Sequence, residues 1–187
     1  MDPESKTILG ESWMANDHPY AEWSGVMFEM LRRAGIKLFA YVPDAGNLCL
    51  IDLADAHDDT RALLLTSEEE GVAICAGADL VGERAVLCMQ SSGLGNCPNY
   101  LSLAKGARFP ILMVITMRGD YGEQNPWQYP MGEAVDALLQ TMGVLRFKVE
   151  RRDELEPATA AAINASGSGA QSAAIVLGQK FLGSKAF

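Results

Sequence analysis

The sequence has few basic residues and no long uninterrupted apolar run. Its 187 residues include 15 Lys and Arg against 24 Asp and Glu, which gives a net charge of −9. Binding to the phosphates of a nucleic acid needs clustered Lys and Arg, so we expect a small-molecule substrate and no nucleic-acid partner. A membrane helix needs about 18 consecutive apolar residues, which no segment provides. The polar residues 1–16 also lack the regions of a signal peptide, so a cytoplasmic protein that does not enter the membrane is expected.

Histidine is rare, and the cysteines are not paired in motifs. The only histidines, His18 and His57, lie in different segments with no Ser or Cys motif beside them, which gives weak support to a nucleophile triad. The four cysteines have neither CxxC spacing nor a nearby pair of histidines, so no zinc site and no other metal site is assigned to this chain. They are predicted to be reduced thiols in or near the core: Cys49, Cys75, Cys88 and Cys97.

Apolar residues make up 49% of the sequence, and they occur in short segments. Because no long Pro/Gly/Ser linker interrupts the chain, we predict one domain, residues 20–187, after an extension of residues 1–19. Segments typical of strands alternate with segments typical of helices, which predicts an α/β fold: a three-layer domain with a parallel sheet of about six strands and helices on both faces. The predicted strands are 37–42, 62–65, 85–89, 111–117, 145–149 and 173–177, and the predicted helices lie within 20–34, 46–57, 68–81, 95–107, 131–142 and 153–165.

Residues 118–132 fit neither the helix period nor the strand period. Their glycines, prolines and polar residues favour a long loop, and loops of this length are often functional. The next helix is expected to begin at Met131. Asp153 is expected to cap the helix that follows the fifth strand.

Three consecutive acids, Glu68, Glu69 and Glu70, follow the predicted strand 62–65. Negative charge in the first turn of a helix is favoured by about 0.3–1 kcal/mol per residue, which would explain the run without any function. The same run allows one carboxyl group to point across the end of the sheet, where parallel sheets bind ligands and where burial could raise its pKa. These residues alone leave both interpretations open.

Residues 89–96, with the sequence MQSSGLGN, follow the predicted strand 85–89. The glycines permit a tight turn and close approach of the backbone to a ligand, but an isolated GxG pattern is weak evidence for phosphate binding. The segment lacks the Lys of a P-loop and the third glycine of a dinucleotide fingerprint. An ordinary structural turn is an equally good interpretation.

In their order and spacing, these segments resemble the pyrimidine-binding domain of thiamine-diphosphate enzymes. Residues 67–77 look like that domain's glutamate helix, in which a Glu is followed by small residues and, nine positions on, by a Gly; here the pair is Glu68 and Gly77. Residues 89–96 are close to the run MQNSGLGN of the sulfopyruvate and phosphonopyruvate decarboxylases. Residues 118–122 match their RGExG with one conservative change. The resemblance covers roughly residues 23–128 in motifs and implies a 2-oxo-acid decarboxylase.

The resemblance implies thiamine diphosphate as the cofactor. In the family a Glu hydrogen-bonds the aminopyrimidine ring and thereby promotes loss of the thiazolium proton. Glu68 is the candidate for that role, and an offset of one residue would transfer it to a neighbouring acid. The loop beside the cofactor and across the subunit interface would be formed by Gln90, Ser92, Gly93, Leu94, Gly95 and Asn96.

Two further residues are candidates for binding the substrate. Asp44 resembles an acidic substrate-site residue of the phosphonopyruvate branch, although an Asp after Pro43 also suits a turn. Arg118 could bind a carboxylate, sulfonate or phosphonate with paired hydrogen bonds. A structural salt bridge is an equally good interpretation of Arg118.

The GDG motif, which in the family holds Mg²⁺ and the diphosphate in a second domain, is absent from this sequence. The resemblance therefore implies the α subunit of a split decarboxylase of the sulfopyruvate type. A β subunit would supply the Mg²⁺ and diphosphate site, in an α₂β₂ or larger assembly. Three alternatives stay open: another thiamine-diphosphate reaction such as carboligation or carbon–carbon cleavage, a non-catalytic regulatory subunit, and a generic nucleotide-binding protein.

Overall fold

The computed structural model describes residues 20–183, and the predicted extension, residues 1–19, lies outside them. Within this range, no helix is both long enough and apolar enough to span a membrane. Short 3₁₀ turns occur at Gly93–Asn96, Pro126–Gln128 and Arg152–Glu154. The strands are β1 (Ile36–Tyr41), β2 (Arg61–Leu64), β3 (Arg84–Gln90), β4 (Leu112–Thr116), β5 (Leu145–Val149) and β6 (Ala173–Leu177), and the helices are α1 (Ala21–Arg33), α2 (Leu48–Ala56), α3 (Glu68–Leu80), α4 (Pro98–Ala107), α5 (Tyr129–Met142), α6 (Leu155–Ser166) and α7 (Gln179–Leu182).

The six strands form one sheet in the order β2-β1-β3-β4-β6-β5, and every neighbouring pair is parallel. The chain passes from β1 to β2 on one side, and β3 then pairs with β1 on its other side. The direction of winding therefore changes between β1 and β3. Open parallel sheets bind ligands beyond the carboxyl ends of the strands at such a switch point, so the fold itself indicates where to look for a site.

Each face of the sheet packs against its own layer of helices. Val86 and Cys88 in β3 belong to the core formed with α1, α2 and α6. Leu87 and Met89, which alternate with them, belong to the core formed with α3, α4 and α5. β4 and β6 are buried along their whole length, as expected for central strands covered on both faces. The predicted three-layer α/β domain with a six-stranded parallel sheet is confirmed.

Some predicted helix boundaries were wrong. Helix α5 begins at Tyr129 and not at Met131, because Pro130 suits the first turn of a helix, where its missing N–H would have no partner in any case. Asp153 does not cap α6 but lies within a 3₁₀ turn. The Glu154 carboxylate instead accepts the backbone N–H groups at positions 150 and 151, at 2.7 and 3.1 Å. The short helix α7 was not predicted.

All four cysteines are free and buried, in agreement with the prediction. Burial raises the pKa of Cys75 and of Cys97 to about 12. Burial also raises the pKa of Cys88 and of Cys49. These thiols behave as small core side chains and are protonated at neutral pH.

Candidate functional site

The side chains that the sequence singled out meet beyond the carboxyl ends of four adjacent strands. Asp44 follows β1, Glu68 follows β2, residues 90–96 begin at the last residue of β3, and Arg118 follows β4. In the sheet these strands lie side by side in the order β2-β1-β3-β4, and the switch point lies between β1 and β3. The site therefore lies where the topology alone predicts one.

The three consecutive acids at the start of α3 have different environments. Glu69 accepts a hydrogen bond from the Ser67 hydroxyl, and Glu70 accepts one from the backbone N–H of Thr66 at 2.8 Å. Both therefore bond to the residues just before the helix, where negative charge is favoured by the helix dipole. Glu68 is different because it is buried, with only 9% of its surface exposed. The structure thus separates Glu68 from its neighbours, and its catalytic role stays a prediction.

The carboxylate of Glu68 lies against the glycine-rich turn after β3. Asn96 Nδ2 donates a hydrogen bond to Glu68 Oε2 at 2.8 Å. Gly93 approaches so closely that a Cβ there would lie 2.2 Å from Glu68 Oε1. Leu94 is fully buried and anchors the turn in the core, whereas Gly95 and Asn96 are exposed. The turn therefore holds a buried carboxylate next to an open surface.

Asp44 is the centre of a second cluster, at the switch point itself. Its Oδ1 accepts a hydrogen bond from Gln90 Nε2 at 3.1 Å, and its Oδ2 accepts one from the Thr116 hydroxyl. Ser92 in turn donates its hydroxyl to Gln90 Oε1 at 2.8 Å. Gln90 and Ser92, both predicted to lie beside a cofactor, thus connect Asp44 to the turn that contacts Glu68.

Three residues near Asp44 were not identified from the sequence, namely Gly46, Asn47 and Thr116. Asn47 Nδ2 donates to the Met89 carbonyl at 3.1 Å, and Asn47 Oδ1 is buried with no hydrogen-bond partner among the described residues. A Cβ at Gly46 would lie 2.8 Å from Thr116 and 2.9 Å from Asp44 Oδ2. A sequence signal existed only for Thr116, a polar residue that ends an otherwise apolar strand. Asn47 and Gly46 become recognisable only once the ends of β1, β3 and β4 are brought together.

Arg118 forms the ion pair that the sequence left open as an alternative to anion binding. Its Nε and Nη2 lie 2.5 and 2.7 Å from Oε2 and Oε1 of Glu123. This hydrogen bonding lowers the pKa of Glu123, whose side chain is fully buried, to about 2. The same pairing raises the pKa of Arg118, and Asp44 and Tyr20 contribute to that rise. The guanidinium is therefore fixed within electrostatic reach of the Asp44 cluster.

Glu123 organises the predicted long loop. It accepts hydrogen bonds from Gln179 Nε2 at 3.0 Å and from the backbone N–H groups of Gln124 and Asn125 at 3.0 and 2.9 Å. Gln179 Oε1 accepts the backbone N–H of Asp120 at 3.0 Å. The loop is thus tied to the chain that follows β6. Gln179 could have been suspected as a polar residue just after an apolar strand, but no local pattern pairs it with Glu123.

These groups suit two chemical tasks. A buried carboxylate at Glu68 can form a strong hydrogen bond to a ligand nitrogen, and the guanidinium of Arg118 is suited to anions. Among residues 20–183, no group of three or more His, Cys, Asp or Glu side chains is arranged to hold a metal ion.

Comparison with known proteins gives concordant matches. Residues 22–140 match the family model described as thiamine pyrophosphate enzyme, N-terminal TPP binding domain. The chain is 35% identical to sulfopyruvate decarboxylase subunit alpha of Methanococcus maripaludis, over 70% of this chain and 79% of that protein. It is also 35% identical to the protein of the same name from Methanocaldococcus jannaschii, over 68% of this chain and 76% of that one. Phosphonopyruvate decarboxylase of Streptomyces viridochromogenes is 38% identical over 56% of this chain and 27% of its own length.

A solved structure supports the fold. A chain of 2-oxoglutarate:ferredoxin oxidoreductase from Magnetococcus marinus superimposes with a TM-score of 0.67, covering 86% of this chain and 29% of that chain. The two sequences are 17% identical, so this match concerns the fold alone.

Proposed function

Because the chain belongs to the thiamine pyrophosphate enzyme family, through its N-terminal TPP-binding domain, we propose that it is the α subunit of a split 2-oxo-acid decarboxylase of the sulfopyruvate or phosphonopyruvate type. The names of its relatives support the reaction, and the description of several of them as subunit alpha supports a separate partner. The family description supports thiamine diphosphate as the cofactor.

The observation that carries the proposal is the position of Glu68. Its carboxylate is buried at the start of a helix, receives a hydrogen bond from Asn96 and lies against Gly93, which has no side chain to displace it. A carboxylate in this environment fits the aminopyrimidine of thiamine diphosphate, because it can share a proton with a ring nitrogen in a site of low dielectric constant. When bound, the cofactor supplies the electron sink for loss of carbon dioxide from a 2-oxo acid. Glu68 supplies the hydrogen bond, and residues 90–96 orient the carboxylate.

The exposed side of this site supports the need for a partner. Asn96 is exposed although it donates a hydrogen bond to the buried Glu68 carboxylate, and Gly95 before it is exposed too, so a second subunit that docks there would complete the site and exclude water from it. We place the diphosphate and Mg²⁺ site on that β subunit, in an α₂β₂ or larger assembly. The proposed location is the cytoplasm, and the free, buried thiols of this chain suit its reducing conditions.

Arg118 and Asp44 are the proposed substrate-binding residues. The guanidinium of Arg118 can bind the sulfonate, phosphonate or carboxylate of the substrate through paired hydrogen bonds. Asp44, fixed by Gln90 and Thr116, presents a carboxylate at the switch point, between the Glu68 side of the site and Arg118. The substrate would therefore bind over the ends of β1, β3 and β4.

Exchange of Glu68 for Gln tests this proposal in the complex purified with its partner subunit. With thiamine diphosphate and Mg²⁺ present, we expect Glu68→Gln to lower carbon dioxide release from sulfopyruvate by about 100-fold or more, since the amide lacks the carboxylate's charge and proton affinity. The matched control is Glu70→Gln two residues on, which removes an exposed acid and should leave the rate within about twofold.

Two results would contradict the proposal. Absence of carbon dioxide release from both sulfopyruvate and phosphonopyruvate by the wild-type complex would refute the reaction. Loss of activity in Glu70→Gln but not in Glu68→Gln would refute the assignment of the acid.

A further inference from the structure

We infer that Glu123 is a positioning residue that fixes the guanidinium of Arg118 in the orientation that binds the anionic tail of the substrate. The inference rests on the proposed function, in which Arg118 binds that tail. It goes further because it assigns a role in substrate selection to a residue of the long loop, Glu123, that is expected to contact neither cofactor nor substrate.

The hydrogen bonds of Glu123 leave its carboxylate no freedom to turn. Oε1 accepts from Arg118 Nη2 and from the backbone N–H groups of Gln124 and Asn125. Oε2 accepts from Arg118 Nε, from Gln179 Nε2 at 3.0 Å and from the backbone N–H of Gly119 at 3.3 Å. Because both oxygens contact the flat guanidinium, the pair fixes the plane of that group as well as its distance.

The backbone of Arg118 is fixed by an independent contact. The Ser91 hydroxyl accepts a hydrogen bond from the Arg118 N–H at 3.0 Å and donates one to the Arg118 carbonyl at 3.0 Å. Ser91 is fully buried and follows β3, so it ties the end of β4 to the switch point. Arg118 is thus held at its backbone by Ser91 and at its guanidinium by Glu123. Like Asp44, it lies beyond the carboxyl ends of the strands.

The charge of Glu123 does not simply cancel that of Arg118. Three backbone N–H groups and the Gln179 amide share the negative charge of the carboxylate, so the guanidinium keeps attraction for a second anion. A guanidinium that is already fixed also loses little conformational entropy when substrate binds. Loss of Glu123 should therefore weaken substrate binding more than it slows the chemical step.

A double-mutant comparison in the purified complex tests the inference. KM for sulfopyruvate is measured by turnover and its Kd by calorimetry, for Glu123→Gln, Arg118→Ala and the double variant. We expect Glu123→Gln to raise KM and Kd about tenfold with a smaller fall in kcat, and to add almost nothing when Arg118 is already Ala. The control is Glu133→Gln, the same chemical change at an exposed position of α5, which should leave both constants unchanged.

The outcomes separate this inference from the proposed function. The inference is wrong if Glu123→Gln is folded and has the same KM and Kd as the control Glu133→Gln. It is also wrong if Glu123→Gln raises these constants by the same factor when Arg118 is already Ala. In either case the ion pair only stabilises the loop. If Glu123→Gln does not fold, Glu123→Asp replaces it, since the shorter acid keeps the charge but shifts the guanidinium. Binding of sulfopyruvate without turnover by the wild type would refute the decarboxylase, while the Kd comparison would still test Glu123. Absence of binding would overturn both.

Discussion

Replacement of Gly93 by Ala tests how closely the turn after β3 must approach the acid at the start of α3. The new methyl group would lie 2.2 Å from Oε1, 2.5 Å from Cδ and 2.6 Å from Cγ of Glu68. Gly93 does not have a positive φ, so the substitution acts through this contact and not through backbone strain. It is therefore a direct perturbation of the Glu68 carboxylate.

The size of the effect follows from these distances. Ordinary contact begins at 3.4 Å, so either the carboxylate or the turn must move by about 1 Å. A displacement of that size can lower catalytic rates about 100-fold, and overpacking of this kind costs about 1–3 kcal/mol of folding free energy. For a domain of this size, each kcal/mol corresponds to about 2–4 °C in Tm. Activity should therefore fall far more than stability.

The assay compares Gly93→Ala with Gly25→Ala in the purified complex. Gly25 lies within α1, and a Cβ there meets nothing within 4 Å, so Ala should raise stability by up to about 1 kcal/mol through its helix propensity and leave the rate unchanged. Carbon dioxide release reports the activity, and thermal melting followed by circular dichroism reports the stability. Equal rates for the two variants would refute the idea that Glu68 needs this close glycine.

Two further predictions concern buried ionisable groups. Since burial raises the pKa of Cys75 and Cys97 to about 12, a thiol reagent at about pH 8 should label these cysteines only after the protein is unfolded, and rapid labelling of the native protein would contradict their burial. The pKa of Glu123 is lowered from 4.5 to about 2, so the stability that its pairing contributes is fully present above about pH 4.5 and is lost as the pH falls towards about 2. The difference in urea midpoint between wild type and Glu123→Gln should therefore be constant from about pH 5 to 8 and shrink below about pH 4.5, and a constant difference down to about pH 3 would argue against the pairing.

The strands were well predicted because their signals are local. β6 was predicted as 173–177 and is found at Ala173–Leu177, since five consecutive apolar residues between Ser172 and Gly178 are what a short strand buried on both faces requires. The position of Glu68 near residues 90–96 followed from the rule that the carboxyl ends of parallel strands share one edge.

The long loop was only partly predicted because its contacts are not local. Glu123 meets Gln179, which is 56 residues away in sequence, and no periodicity relates the two. The N-cap role of Asp153 was wrong for a related reason. An Asp before a helix suits a cap, but the Glu154 carboxylate already accepts the backbone N–H groups that precede α6.

The short span of chain from Gln90 to Asn96 has a consequence for how such proteins could change their substrates. One end of this span contacts Asp44 and the other contacts Glu68, so two acids from different strand ends depend on the same seven positions. A substitution that reshapes the pocket at Gln90 would shift the neighbouring turn, and with it the contacts of Glu68. We therefore expect natural diversification and laboratory libraries to alter selectivity more readily through residues 120–129, whose backbone is held by Glu123 and Gln179, than through residues 90–96.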